Sequence, residues 1–273
     1  MSLQQRISRV LGVGVLAAAG TIALGGVGHG ADYLLRVSQG RLQTGAEVGG
    51  AAVYPVRVNR GVFGESGIAN LTDEPGFDAE AGPLIPGMSV GFDLVGPLRA
   101  WDPDAGFASV SADRVTVRKS GIGTQTPPTD SVVPGIVFGQ ADLDAAAGFH
   151  HHVQFILNPA QGGAPDGLWL LGWELWTDAP GIERTEPLYI VFAQGSGVSG
   201  LDEAVAWVED HLVAQACVAD LAAPFGVLNF FDVSAFIALY NAQDHDADLA
   251  APSGVWNFFD VSAFIAAYNA GCP

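Results

Sequence analysis

One stretch near the C-terminus of this chain is written twice. Residues 219–238 recur 28 positions later as residues 247–266, and within that stretch only Ser253 for Phe225 and Trp256 for Leu228 differ. Tyr240-Asn241-Ala242 then matches Tyr268-Asn269-Ala270. Each copy reads as a loop followed by a helix. Val233, Phe236, Ile237 and Tyr240 fall at helical spacing on one face, and Val261, Phe264, Ile265 and Tyr268 repeat it. Neither copy can bury such a face alone, so the two helices are expected to pack on each other. The chain's two cysteines, Cys217 and Cys272, bracket the duplication. A disulfide between them is expected to staple a module too small to rely on its core.

The rest of the chain has a different texture. With 36 glycines and 16 prolines, short apolar runs of period two are cut off before they reach helical length. Such runs cover residues 33–37, 53–58, 88–95, 115–117, 149–157, 167–176 and 188–192. The expected class is mainly β, a β-sandwich of jelly-roll or immunoglobulin-like type over residues 29–197. A helix is expected to start at Ser199, with Asp202 and Glu203 in its first turn and Leu201, Val205, Val208 and Leu212 as its apolar stripe. It forms a linking segment, 198–216, ahead of the repeat module, 217–273.

Charge narrows the possible partners. The formal net charge is -18 and the last lysine or arginine is Arg184. Nucleic acid is excluded as a partner, because phosphate recognition needs a basic footprint. At the other end, Arg6 and Arg9 precede a run free of charged residues from 10 to 28. A basic start and an apolar stretch closing on small residues mark a secretory signal over residues 1–28, cleaved to leave His29 first. The expected location is extracytoplasmic, secreted or at the cell surface, with no membrane span after cleavage.

Catalytic motifs are absent: there is no phosphate loop, no Gly-x-Ser-x-Gly and no His-Glu-x-x-His. The one concentration of chemistry is His150-His151-His152. On a strand, His150, His152 and Gln154 share one face, and Phe149, His151, Val153, Phe155 and Leu157 share the other. Two imidazoles at i and i+2 offer a metal pair, zinc first. Glu174 completes the set if the chain folds back at Gly162-Gly163, and His29 is a further candidate ligand. The alternative is a solvated polar strand face. Three function classes stay open: a non-enzymatic binding or scaffolding protein that holds zinc; a sandwich metalloenzyme, for instance a copper oxidase using His29 as its N-terminus; and a carbohydrate-binding module using Trp169, Trp173 or Trp176.

Two resemblances add expectations. The Asn-Phe-Phe-Asp-Val-Ser-Ala-Phe core of each repeat and the terminal Gly271-Cys272-Pro273 resemble a dockerin of the Gly-Cys-ended kind found in exported proteins of planctomycete-like bacteria. That resemblance implies a small all-α tandem loop-helix module that docks onto a cohesin-like or cell-envelope protein. Phe230, Phe231, Phe258 and Phe259 are its candidate docking residues, although core packing is expected for at least one phenylalanine of each pair. It also implies calcium loops, and here the sequence departs from the pattern. Asp220, Asn229 and Asp232, with Asp248, Asn257 and Asp260, keep only the ends of such a loop, because Ala222, Ala223 and Pro224 bring no side-chain oxygen to its middle. The competing expectation is a loop held by packing and Asx turns, with Asp232 and Asp260 as helix N-caps. Short motifs between His29 and Gln194, among them His29-Gly30-Ala31-Asp32-Tyr33, Asp73-Glu74-Pro75-Gly76-Phe77-Asp78 and Gly148-Phe149-His150-His151-His152, resemble exported bacterial surface proteins, some of them controlled by a zinc-uptake repressor. That likeness implies an extracytoplasmic sandwich linked to zinc supply.

Overall fold

A computed structural model describes residues 32–79, 84–142, 148–213, 217–252 and 254–271. The expected signal segment, His29 and Cys272 lie outside the described residues. The chain is mainly β. Its first strands are β1 (Tyr33–Ser38), β2 (Arg41–Val48), β3 (Ala51–Val53), β4 (Val58–Val62), β5 (Leu71–Thr72) and β6 (Phe77–Ala79). They are followed by β7 (Ser89–Val95), β8 (Arg99–Asp102), β9 (Gly106–Val110), β10 (Arg114–Lys119) and β11 (Ile122–Gln125). The last are β12 (Val132–Gln140), β13 (Phe149–His151), β14 (Gln154–Asn158), β15 (Gly167–Thr177) and β16 (Leu188–Gln194). Helices α1 (Leu201–Val208), α2 (Phe230–Ala242) and α3 (Phe258–Ala270) complete the chain.

The strands form a five-stranded sheet ordered β13-β6-β1-β2-β3, a four-stranded sheet ordered β11-β10-β14-β5, and a seven-stranded sheet along β12-β7-β15-β16-β4, with β8 and β9 attached through β15. One core joins all three. Tyr33, Leu35, Phe77 and Phe149 come from the first sheet, Val115, Val117, Phe155 and Leu157 from the second, and Phe92, Leu94, Trp173, Leu175, Ile190 and Phe192 from the third. The two smaller sheets thus cover one face of the large one, as alternation along each strand requires. Trp173 is fully buried, with its ring 5.4 Å from Phe77, 5.8 Å from Phe92 and 5.6 Å from Phe155.

The other face of the large sheet is covered too. Leu168, Leu170, Val191 and Ala193 point away from the main core and pack with Leu201, Ala204, Val205 and Val208 of α1. The segment expected to link two domains therefore lies flat on the sandwich. It begins with a 3-10 turn, Gly195–Gly200, and ends in a π-type turn, Glu209–Val213. Trp207 closes over Gly106, whose missing side chain makes room for the indole. The expected strand at 53–58 is instead a connection between β3 and β4, because Pro55 has no N–H to give a ladder. Trp169 and Trp173 are core residues, and Trp176 lies over Gly91 with its Nε1 donating to Asp93 at 3.1 Å. Among the described residues no helix is long and apolar enough to cross a membrane.

The repeats form two loop–helix units that meet face to face, with Phe236 and Phe264 stacked at 4.1 Å between centroids and 9° between planes. Asn229 and Asn257 are the N-caps, each accepting the N–H of the residue two positions on, at 2.7 Å. Asp232 and Asp260, expected as caps, are instead the third residues of their helices and complete capping boxes. Both are fully buried. One Asp232 oxygen accepts from the Leu221 and Ala222 N–H groups at 2.9 Å, and the other from Asn229 at 2.7 Å. Asp260 accepts from Ala250 at 2.9 Å and Asn257 at 2.8 Å. Asp220 and Asp248 each turn one oxygen to the Gly226 or Gly254 N–H. The oxygens of Asp232 and Asp260 are thus committed to backbone N–H groups, whereas the Oδ1 atoms of Asp220 and Asp248 are buried with no hydrogen-bond partner among the described residues. Cys217 is disulfide-bonded.

Two outcomes follow from these contacts. Trp173→Ala should destabilise the sandwich by about 3–5 kcal/mol, the range for emptying an indole site in a core, as measured by chemical unfolding. In the full chain, Asp232→Ala should lower the unfolding temperature of the helical signal, because three N–H groups lose a buried acceptor at about 1 kcal/mol or more each. A calcium chelator should leave that temperature unchanged in the parent protein.

Candidate metal centre

Three neighbouring backbones build the site. β6 runs parallel to β1 with Tyr33 opposite Phe77, and antiparallel to β13 with Phe77 opposite His151 and Asp78 opposite His150. One step beyond, the same register sets Asp32, Gly76 and His152 side by side. The Tyr33 N–H donates to the Gly76 carbonyl at 2.9 Å, and the Gly76 N–H donates to Asp32 Oδ1 at 2.9 Å. Gly76 is the middle position of this row, and it must be glycine. A β-carbon there would lie 2.6 Å from His152 Nδ1 and 2.8 Å from Asp32 Oδ1. Its absence lets the side chains on either side lean over the middle strand.

Asp32, His150 and His152 each offer one ligand atom, and these atoms lie within 4.8 Å of one another. The two Nε2 atoms are 3.3 Å apart. Two nitrogens bound at zinc's ordinary bond length of about 2.0–2.1 Å in a tetrahedral arrangement are about 3.3 Å apart, so the imidazoles already have the required span. His152 Nδ1 lies 3.0 Å from the Asp73 carbonyl. That contact places the proton on Nδ1 and leaves the Nε2 lone pair facing His150, the outer hydrogen bond that metal-ligating histidines usually make. His150 Nδ1 stands 3.8 Å from Asp78 and 4.0 Å from Asp32. Glu74 stands 3.8 Å from His152 Nδ1. Burial first, and the Asp32 carboxylate second, push the Glu74 carboxyl above its ordinary range. Three carboxylates around two imidazoles make the pocket attractive to a divalent cation, and a donor set of two nitrogens and one oxygen suits zinc and its neighbours. The His150 side chain is 63% exposed, so a bound ion stays open to water and to exchange.

The expected ligand set is revised by this geometry. His150 and His152 do come together, although the expected single strand over 149–157 divides. β13 belongs to the five-stranded sheet and β14 to the four-stranded one, and His152 sits at the crossing. Glu174 is not near them. After Gly162-Gly163 the chain enters β15 of the opposite layer, where Glu174 pairs with Asp93 and binds Arg184 at 2.9 Å. The fold-back on which Glu174 depended does not form, since a strand apolar on both faces is drawn to the middle of the doubly covered sheet. His29 lies outside the described residues. His151 points the other way, its Nδ1 3.0 Å from Lys119 Nζ and its ring edge-on to Phe149. Burial, and then Lys119, lower its pKa. Asp32 went unnoticed in the sequence, and the signal that could have found it was its place beside Tyr33 in a short Gly- and Asp-bearing motif. Among the described residues this is the one cluster of three such groups, and the loop acids of the repeats form none. No family model matches the chain, and no curated protein matches it.

Gly76→Ala should lower metal affinity about 10–100-fold, the usual effect of displacing the surroundings of a ligand. Competition with a chromogenic chelator reads this directly. Thermal unfolding of Gly76→Ala, followed by circular dichroism, separates this loss from any general effect of the added methyl on the fold.

Proposed function

We propose that this is an exported, non-enzymatic binding protein whose sandwich holds a zinc ion at Asp32, His150 and His152. The single observation that carries the reading is the convergence of those three side chains, with His152 oriented by the Asp73 carbonyl. The three ligands come from two segments of one sheet that flank β6, and they converge without His29. Its exposure suits capture and release of an ion rather than a sealed structural site. The likeness of the sandwich to surface proteins tied to zinc supply points the same way.

The second half of the proposal concerns display. The paired loop–helix units act as a dockerin-like module that engages a cohesin-like or cell-envelope protein. In support, Phe230 and Phe258 are each 75% exposed, and Phe231 and Phe259 are 62% and 64% exposed. All four phenylalanines face solvent, where one of each pair was expected in the core. Between the helices, Val233, Ile237, Val261 and Ile265 line an apolar groove floored by Phe236 and Phe264. Exposed aromatics beside such a groove are the usual anchors of a protein interface.

The test is zinc content and titration on the mature protein. One equivalent of zinc is expected, and His150→Ala with His152→Ala should abolish it, whereas His151→Ala should retain it. A wild-type protein that takes up no zinc at micromolar concentration would sink the metal half of the proposal.

A further inference from the structure

The two repeat copies are nearly identical, and apart from Leu239, which aligns with Ala267 in the module core, their departures cluster on the side toward the sandwich. In the alignment of the copies, Phe225 corresponds to Ser253 and Trp256 to Leu228; just upstream, Asp244 corresponds to Ala216 and Asp246 to Val218. Three of these residues touch the sandwich. Asp246, with a side chain only 4% exposed, lies 2.7 Å from Arg36 Nη2. It also accepts from Ser38 Oγ at 3.2 Å and Gln43 Nε2 at 3.5 Å. Asp244 lies 3.5 Å from Arg36 Nη1. The Arg41 guanidinium stands 3.3 Å above the centre of the Phe225 ring. Trp256 supports the contact from behind, donating from Nε1 to the Asp244 carbonyl at 2.9 Å. The counterparts Ser253, Ala216, Val218 and Leu228 can make none of these bonds.

We infer that Phe225, Asp244 and Asp246, three residues by which the two copies diverge, form an intramolecular latch. It fixes the repeat module on strands β1 and β2 and so holds the apolar helix face in one outward orientation. The shared residues build the module itself: the Phe236–Phe264 stack, the capping boxes and the carboxylates that close the loops. A module with two equal copies has two equivalent sides, and only a difference between the copies can choose one of them for the sandwich. The chemistry of the choice is specific. Arg36 is held by the Tyr54 ring, 4.2 Å from its guanidinium, and by Gln43, and so presents its charge to the module. A desolvated acid facing a pre-oriented arginine is tolerated only in register, because either partner left alone keeps a buried charge without compensation. The groove residues Val233, Ile237, Val261 and Ile265 line a different surface from the latch, where Arg41, Phe225 and Asp246 border a separate cavity. Latching therefore leaves the groove open. The inference stands on the contacts between sandwich and module, and does not depend on zinc or on any docking partner.

The experiment is small-angle X-ray scattering on the full mature chain, with far-UV circular dichroism as the control for folding. The parent protein should scatter as one compact particle. Phe225→Ser with Asp244→Ala and Asp246→Val gives each latch position the residue of the other copy, and should raise the radius of gyration and the maximum dimension while helicity is retained. Arg36→Gln with Arg41→Gln removes the latch from the sandwich side and should do the same. Loosening in either variant with helicity intact supports the latch. Compact scattering from both variants, or an extended parent protein, overturns it.

Discussion

Burial of β15 on both faces is the constraint around which the other parts are arranged. Trp169, Leu171, Trp173 and Leu175 point to the main core, while Leu168 and Leu170 point to the opposite side. A strand of this kind has no face to give to water, so its neighbours must supply two apolar covers and two hydrogen-bonded edges. β7 and β16 provide the edges. The two smaller sheets provide one cover, and α1 the other. The helix after β16 is thereby drawn onto the sandwich and does not span a gap. Glu174 is carried with the strand to the far layer, where Arg184 pairs with both it and Asp93.

The same layering leaves the outer face of the five-stranded sheet toward solvent along β13 and β6, while the repeat module meets that face on β1 and β2. Asp32, Asp78, His150 and His152 occupy that face, while the alternate residues Tyr33, Phe77 and Phe149 enter the core. A cation site on an outward face needs no buried charge, which removes the largest energetic obstacle to assembling carboxylates and imidazoles. What it needs is proximity across strands, and the side chain missing at Gly76 provides that. The strongly acidic chain adds a long-range attraction for cations.

The repeat module solves a different problem. Its loops must turn without a regular ladder, and buried backbone N–H groups must be paired. Asp232 and Asp260 pair them from within the helices that follow, so each loop is tied to its own helix by a fully buried carboxylate. Once these acids are committed inward, the phenylalanines at the helix starts have no core left to enter, and they remain on the surface beside the groove.

Much of this was legible in the residues alone. The 28-residue duplication fixed two equivalent loop–helix units and the pairing of their apolar faces, because identical sequence in identical context folds identically. Period-two apolar runs broken by glycine and proline fixed a mainly β body, and the spacing of His150 and His152 put two imidazoles on one side. Tertiary structure alone decided the rest. Asp32 lies more than a hundred residues from His150, and only the register of β1, β6 and β13 joins them. The exclusion of Glu174 depended on which layer received β15, a competition among apolar strands that no local pattern expresses. The placement of Arg36 against Asp246 likewise required the module to settle on the sandwich. Local pattern determines which face of an element is apolar, but which faces meet is set by burial summed over the whole chain, and ligands from distant segments are brought together only by that sum.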